Sequence, residues 1–168
     1  APYVREMDLW MKYASSTRYY SPSVYNHKLL TTVFENQEFN QHSSKRLEFN
    51  GFSSTVKSIL ATPYQFFKLL QLMSRADHIH LRAPGNLTLL ACMTQIFFPL
   101  KAKTAKYAGN WDPQASQPIS YRLQKWLLSN TFLTKNTKVL VYGEWPDQSK
   151  NIKPFFTATY SKADRIQI

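Results

Sequence analysis

Disulfides are excluded at the outset: the 168-residue chain holds one cysteine, Cys92, so no internal bridge can form and a reducing, cytosolic compartment fits. Carboxylates are also scarce, with 10 Asp and Glu against 21 Lys and Arg, and no closely spaced pair suggests a glycosidase. Long apolar runs are missing too. The longest, Leu87 to Leu100, is interrupted by Thr88, Thr94 and Gln95 and falls short of the roughly 20 residues a spanning helix needs. Arg5, Glu6 and Asp8 break up the N-terminal stretch, so no secretory signal is expected there. No G-x-G-x-x-G, P-loop, H-E-x-x-H, G-x-S-x-G or C-x-x-C pattern occurs. Internal repeats and low-complexity tracts are likewise absent.

What remains is a globular composition. Hydrophobic residues make up 43%, enough for one domain with a real core and no covalent staples. The chain opens at Ala1 without a starting Met and goes almost directly into a helical pattern, so residues 1–168 are expected to be one truncated or processed domain. The net charge of +11 biases the surface toward polyanions: nucleic acid, anionic lipid or phosphorylated substrates. That charge is dispersed, densest at Lys101, Lys103 and Lys106, and a plain solvated surface stays an open reading. Aromatic content is 15%, yet no RNP-like motif accompanies it and the aromatics fall mostly at predicted core positions. Nucleic acid is therefore not the expected partner.

Periodicity predicts the elements. Pro2 with Val4, Met7, Leu9, Trp10 and Met11 reads as a first helix. Residues 15–50 carry little pattern, with a short strand expected near Leu29 to Phe34. From Ser53, a broad apolar face (Val56, Ile59, Leu60, Phe66, Phe67, Leu69, Leu70, Met73) predicts a helix, kinked or split at Pro63. Asp77 to Leu81 reads as a strand, Leu87 to Phe98 as a buried helix apolar nearly all round, and Thr104 to Tyr107 as the next strand. Ile119 to Ser129 follows as a helix with Leu123, Trp126 and Leu127 on one side. Val139 to Tyr142 is an unbroken β-branched strand expected to be covered on both faces, and Phe155 to Tyr160 a further strand. This alternation predicts an α/β fold: a Rossmann-like open parallel sheet with helices on both faces.

In such sheets ligands bind beyond the C-terminal strand ends. Three segments occupy that place: His80 to Asn86, Ala108 to Asp112 and Gly143 to Trp145. In the first, Gly85 allows close backbone approach, the amides opening the helix at Leu87 suit an anion, and Arg82 adds a fork for phosphate or carboxylate. A turn and cap made by Pro84, Gly85 and Asn86 is the plainer reading. His78 and His80 share one strand face, but no carboxylate or cysteine lies near in sequence. The pattern therefore favours a buried hydrogen-bonded histidine over a metal ligand, with His80 nearer the strand end. Gly109, Asn110 and Trp111 suit sugars, through an amide for hydroxyls and an aromatic face for C–H surfaces; a capped turn with a core Trp serves equally well. Glu144 places one carboxylate on the edge, as a base, a hydroxyl ligand or a solvated charge.

These loops resemble a known family. Ala76 to Asn86, Lys106 to Trp111, Ala1 to Met7, Tyr142 to Trp145 and Phe155 to Tyr160 are similar to stretches of the N-terminal, acceptor-side domain of bacterial GT-B glycosyltransferases of the glycosyltransferase group 1 type, in a Bacteroidetes-like subgroup. The resemblance implies one half of a GT-B fold, with the C-terminal donor domain absent and this part alone inactive. It implies retaining transfer from a nucleotide-sugar donor, held by the missing domain and needing no metal. The acceptor would be a sugar or lipid-linked glycan in polysaccharide synthesis, lining up with His80, Arg82, Gly85, Asn86, Gly109, Asn110, Trp111 and Glu144. Many relatives carry His where this chain has Ala108. The resemblance also implies a cytoplasmic site of action, peripheral on the inner face of the membrane, with the helix at Tyr64 to Arg75 (Phe66, Phe67, Lys68, Arg75) as a candidate contact with anionic lipid. A stand-alone anionic-ligand or nucleic-acid-binding α/β module is the alternative.

Overall fold

The computed structural model describes residues 2–22 and 39–155. The predicted strand near Leu29 to Phe34, and all but the start of that at Phe155 to Tyr160, lie outside them. The chain divides into two compact units, residues 1–45 with 157–168, and residues 46–156.

In the first unit, helix α1 (Pro2–Met11) buries Met7 and Met11. Strands β1 (Thr17–Pro22) and β2 (Phe39–Ser44) pair in parallel, and the Tyr19 hydroxyl reaches Met11 Sδ at 3.4 Å. This pair falls in the stretch that showed little sequence periodicity.

The second unit is an open four-stranded parallel sheet with helices. Helix α2 (Phe52–Ser74) leads to β3 (His78–Ala83), then α3 (Asn86–Thr94) with a 3₁₀ turn at Gln95–Phe97, β4 (Ala102–Tyr107), α4 (Ile119–Ser129), β5 (Thr137–Val141) and β6 (Ile152–Pro154). The order across the sheet is β3-β4-β5-β6. Helix α3 packs on both β3 and α4, and α2 packs on α3.

Period-two alternation builds the core under those helices. Across the register, Leu81, Ala105, Val139 and Ile152 form one row; Ala83, Tyr107 and Val141 form the next. All seven are buried, as are Leu90, Ala91 and Cys92 of α3 and Leu127 and Leu128 of α4. Lys103 belongs to this same inward face. Its Nζ donates to Gln95 O and Phe98 O, the carbonyls ending the α3 segment, where a cation is favoured by the helix dipole. The opposite face carries polar rows: His80, Thr104 and Lys138, then Arg82, Lys106, Leu140 and Lys153.

Four expectations change. The apolar face expected of α2 is exposed at Val56, Ile59, Leu60 and Phe67. Pro63 lies inside one continuous helix rather than dividing two. Strand β5 is not fully covered on both sides, because Lys138 is exposed and Leu140 half-buried. In α4 the inward residues are Gln124, Leu127 and Leu128, and Trp126 faces out.

Candidate functional site

Parallel pairing fixes where the three loops emerge. Ala83, Tyr107 and Val141 sit side by side in register, so the segments after β3, β4 and β5 leave one edge of the sheet together. The first two touch. A Cβ built on Gly109 would lie 3.0 Å from Tyr107 Cε1 and 3.2 Å from both Pro84 Cγ and Cδ. The Ala108 amide also donates to Ala83 O at 2.7 Å. The Ala83–Pro84 peptide bond is cis.

The first loop is held from below. The Gly85 amide donates to Gln124 Oε1 of α4 at 3.1 Å, which commits that amide to the protein rather than to an anion. Gln124 is buried and its own amide nitrogen donates to Ser120 O. Asn86 Nδ2 donates to Leu47 O at 2.8 Å, so this side chain anchors the segment ahead of α2. The Thr88 hydroxyl donates to Arg82 O. The Arg82 side chain stands on the polar sheet face, exposed, one strand over from Lys106.

The second loop places Trp111 otherwise than a sugar platform requires. Its ring is 3% exposed, packs edge-on against Tyr107 at 4.9 Å between centroids, and donates from Nε1 to Gln148 Oε1 at 2.7 Å. Lys125 lies over it at 5.7 Å and donates to Asp112 O. The core reading of Trp111 therefore replaces the stacking one, because no ring face is left for a ligand. Asn110 is exposed; its Oδ1 accepts the Asp112 amide at 2.9 Å, an Asx turn that shapes the loop.

The third loop closes on itself. Gly143 has φ 83°, in the left-handed region glycine favours, and Trp145 Nε1 donates to Tyr142 O at 2.9 Å. Glu144 is exposed on this turn. No described contact ties it to the first two loops. Tyr142, just ahead of it, meets strand β4 instead: Lys106 Nζ lies 5.7 Å from its ring centroid and 4.7 Å from that of Phe155. Such contacts favour a desolvated cation.

Below this edge, His80 Nδ1 and His78 Nε2 each lie 2.9 Å from the Thr104 hydroxyl oxygen. Burial, then the charges of His78, Lys106 and Arg82, push the His80 pKa down to about 4, so this ring is neutral at physiological pH. Burial alone lowers that of His78. The hydrogen-bonded reading of the pair holds. Among the described residues no three His, Cys, Asp or Glu side chains gather as a metal site would require. No described helix is long and apolar enough to cross a membrane.

Of the residues singled out from sequence, Gly85, Asn86 and Gly109 share one neighbourhood, and Arg82 and His80 share the polar sheet face beside it. Thr104, Lys106 and Gln124 were missed. Lys106 was visible only as one lysine of a basic cluster, while the roles of Thr104 and Gln124 depend on partners 24 and 39 residues away. Neither protein-family models, curated proteins nor solved structures give a match to this chain.

Proposed function

We propose that this chain is the acceptor-binding half of a retaining GT-B glycosyltransferase, acting on a sugar or lipid-linked glycan at the cytoplasmic side. One observation carries the reading: three strand-terminal loops share one edge of an open parallel sheet, with Gly109 packed against Pro84 so that two of them form a continuous rim. The resemblance of those same loops to acceptor-side domains points the same way. Arg82, exposed on the adjoining face, favours an acceptor that carries phosphate. His80 is neutral there and offers hydrogen bonds rather than charge. Asn110 and Glu144, both exposed, supply the amide and carboxylate that would meet hydroxyls. A nucleotide-sugar donor would be held elsewhere, by a second domain, and no step here calls for a metal.

The test is an NMR titration of the chain with a short-chain prenyl-diphosphate-linked monosaccharide. Amide shifts should cluster at Arg82, Gly85, Asn86, Gly109 and Asn110, and UDP-glucose should leave these signals in place. Shifts confined to other regions, or none at all, would sink the reading. Equal responses to both probes would favour a general anion-binding module instead.

A further inference from the structure

The outward side of α2 is apolar where a helix packed on a domain is ordinarily polar. Its inward row is Ser58, Ala61, Gln65, Leu69 and Met73, all buried at helical spacing. Phe52, Val56, Ile59, Leu60, Tyr64 and Phe67 lie opposite and all are exposed, Phe52 by 89%, Leu60 by 74% and Phe67 by 66%. Beside them Phe66 meets Phe67 at 5.8 Å and Phe97 at 6.0 Å between ring centroids, and Phe97 is itself 65% exposed. At roughly 100 Å² from each side chain, these seven exposed residues present about 700 Å². That exceeds the roughly 300–600 Å² of the largest apolar patch on an ordinary monomer. It approaches the roughly 800 Å² that each partner gives to a specific interface.

The order of the stripe selects the partner. About a point midway between Ile59 and Leu60 it is nearly the same in both directions, with Phe52 and Phe67 at the two ends and Val56 and Tyr64 inside them. A two-fold axis through that midpoint, perpendicular to the helix, lays a second α2 antiparallel on the first. Phe52 of each copy then meets Phe67 of the other, and Ile59 and Leu60 pack around the axis. An isologous interface requires this self-complementarity, because one patch must serve both subunits. No carboxylate interrupts the stripe, since α2 contains no Asp or Glu. Lys57 and Lys68 fall together on one flank, where an interface carries its polar rim. The other flank runs on into Phe66 and Phe97. We propose that the chain forms a two-fold dimer through this face of α2, its two helices antiparallel. The inference stands apart from the acceptor reading, since none of these residues belongs to the strand-terminal loops.

Sedimentation equilibrium tests it, one copy weighing 19.6 kDa and a dimer twice that. A dimer is expected that tightens as salt is raised, because each copy carries a net charge of +11 and salt screens the repulsion between them. The double variant Leu60→Ser, Phe67→Ser should weaken association about tenfold or more while circular dichroism stays unchanged. Cross-linking with a short bismaleimide reads the orientation. Phe52→Cys and Phe67→Cys chains should link when mixed and far less when each is alone, because like positions lie about 22 Å apart along antiparallel helices. Cys92 is buried and does not compete. A chain that stays monomeric at every salt concentration, a dimer indifferent to the double variant, or a dimer that salt dissociates overturns the proposal. So does Phe52→Cys linking to itself as readily as to Phe67→Cys. A monomer that floats with phosphatidylglycerol vesicles overturns it too, because the face would then meet lipid. Failure of the glycan titration with the dimer intact would remove only the acceptor reading.

Discussion

Replacing Gly109 with alanine probes the contact on which the rim depends. The added Cβ would meet Tyr107 Cε1 at 3.0 Å and two Pro84 ring carbons at 3.2 Å. Comfortable carbon separations begin near 3.5 Å, so about half an ångström must be found. Tyr107 cannot supply it, being fully buried and packed edge-on against Trp111. The displacement must come from Pro84, and it opens the gap between the first two loops. Overpacking of this sort costs about 1–3 kcal/mol. The smaller conformational freedom of alanine in the unfolded chain offsets about 0.4–1 kcal/mol. A net loss of about 1–2 kcal/mol is expected.

Urea denaturation gives the measurement: the midpoint should fall while the slope stays constant. Gly85→Ala provides the internal comparison. Its Cβ would find only Thr88 Oγ1, at 3.4 Å, in a backbone that is extended and open to any residue. Less than half the Gly109 loss is expected there. Equal losses at the two sites, or a Gly109→Ala variant as stable as its parent, would refute the claim that the loops are in tight contact.

Three further outcomes follow from the same geometry. Burial holds the Lys103 amine down at about 8 against an ordinary 10.5, so the unfolded chain binds more protons between these values and stability rises with pH across that window. The full shift corresponds to roughly 3 kcal/mol, and about 1–2 after screening by solvent near Phe98; Lys103→Met should abolish this rise. The parent-minus-variant difference isolates it, because the Cys92 thiol and Tyr107 hydroxyl, both pushed up to about 12, are common to the two proteins; parallel stability curves would contradict the assignment. Gln124→Leu strips the Gly85 amide of its acceptor, so a loss of about 1–3 kcal/mol and faster hydrogen exchange at Gly85 are expected, and unchanged exchange there would count against the bond. Trp111→Phe keeps most of the ring but not the bond to Gln148. It should cost about 1–2 kcal/mol in denaturation while leaving any glycan-induced shifts at Gly85 and Gly109 in place, whereas loss of those shifts in a folded variant would return Trp111 to the ligand surface.

Local pattern exposed the α/β alternation well. Helix α4 begins and ends where its spacing and flanking residues place it, at Ile119 and Ser129, and β3, β4 and β5 lie within a few residues of their apolar stretches. The faces were harder to read. In α2 the numerous large apolar residues pull the expected core toward Ile59, Leu60 and Phe67. The helix instead buries Ser58, whose hydroxyl donates to Glu48 O and accepts the Glu48 amide, both at 2.8 Å, and Gln65. Polar side chains satisfied in this way can be enclosed, and hydrophobicity alone does not reveal them. The same limit governed the rim. Pro84 and Gly109 are legible as turn residues, but their contact exists only once β3 and β4 pair. Trp111 could have faced a ligand or the core until Tyr107 and Gln148 settled the choice.

The threonine between the two imidazoles has one hydroxyl hydrogen to give. If solvent acid places a proton on the more exposed His78, its Nε2 becomes a donor. Thr104 must then accept from it and turn its own hydrogen toward His80 Nδ1. The inner ring then carries its hydrogen on the far nitrogen, Nε2, and stays uncharged. A change in acidity outside would thus reach the interior as a choice of tautomer, passed along two hydrogen bonds of 2.9 Å, with no net charge carried beneath the surface.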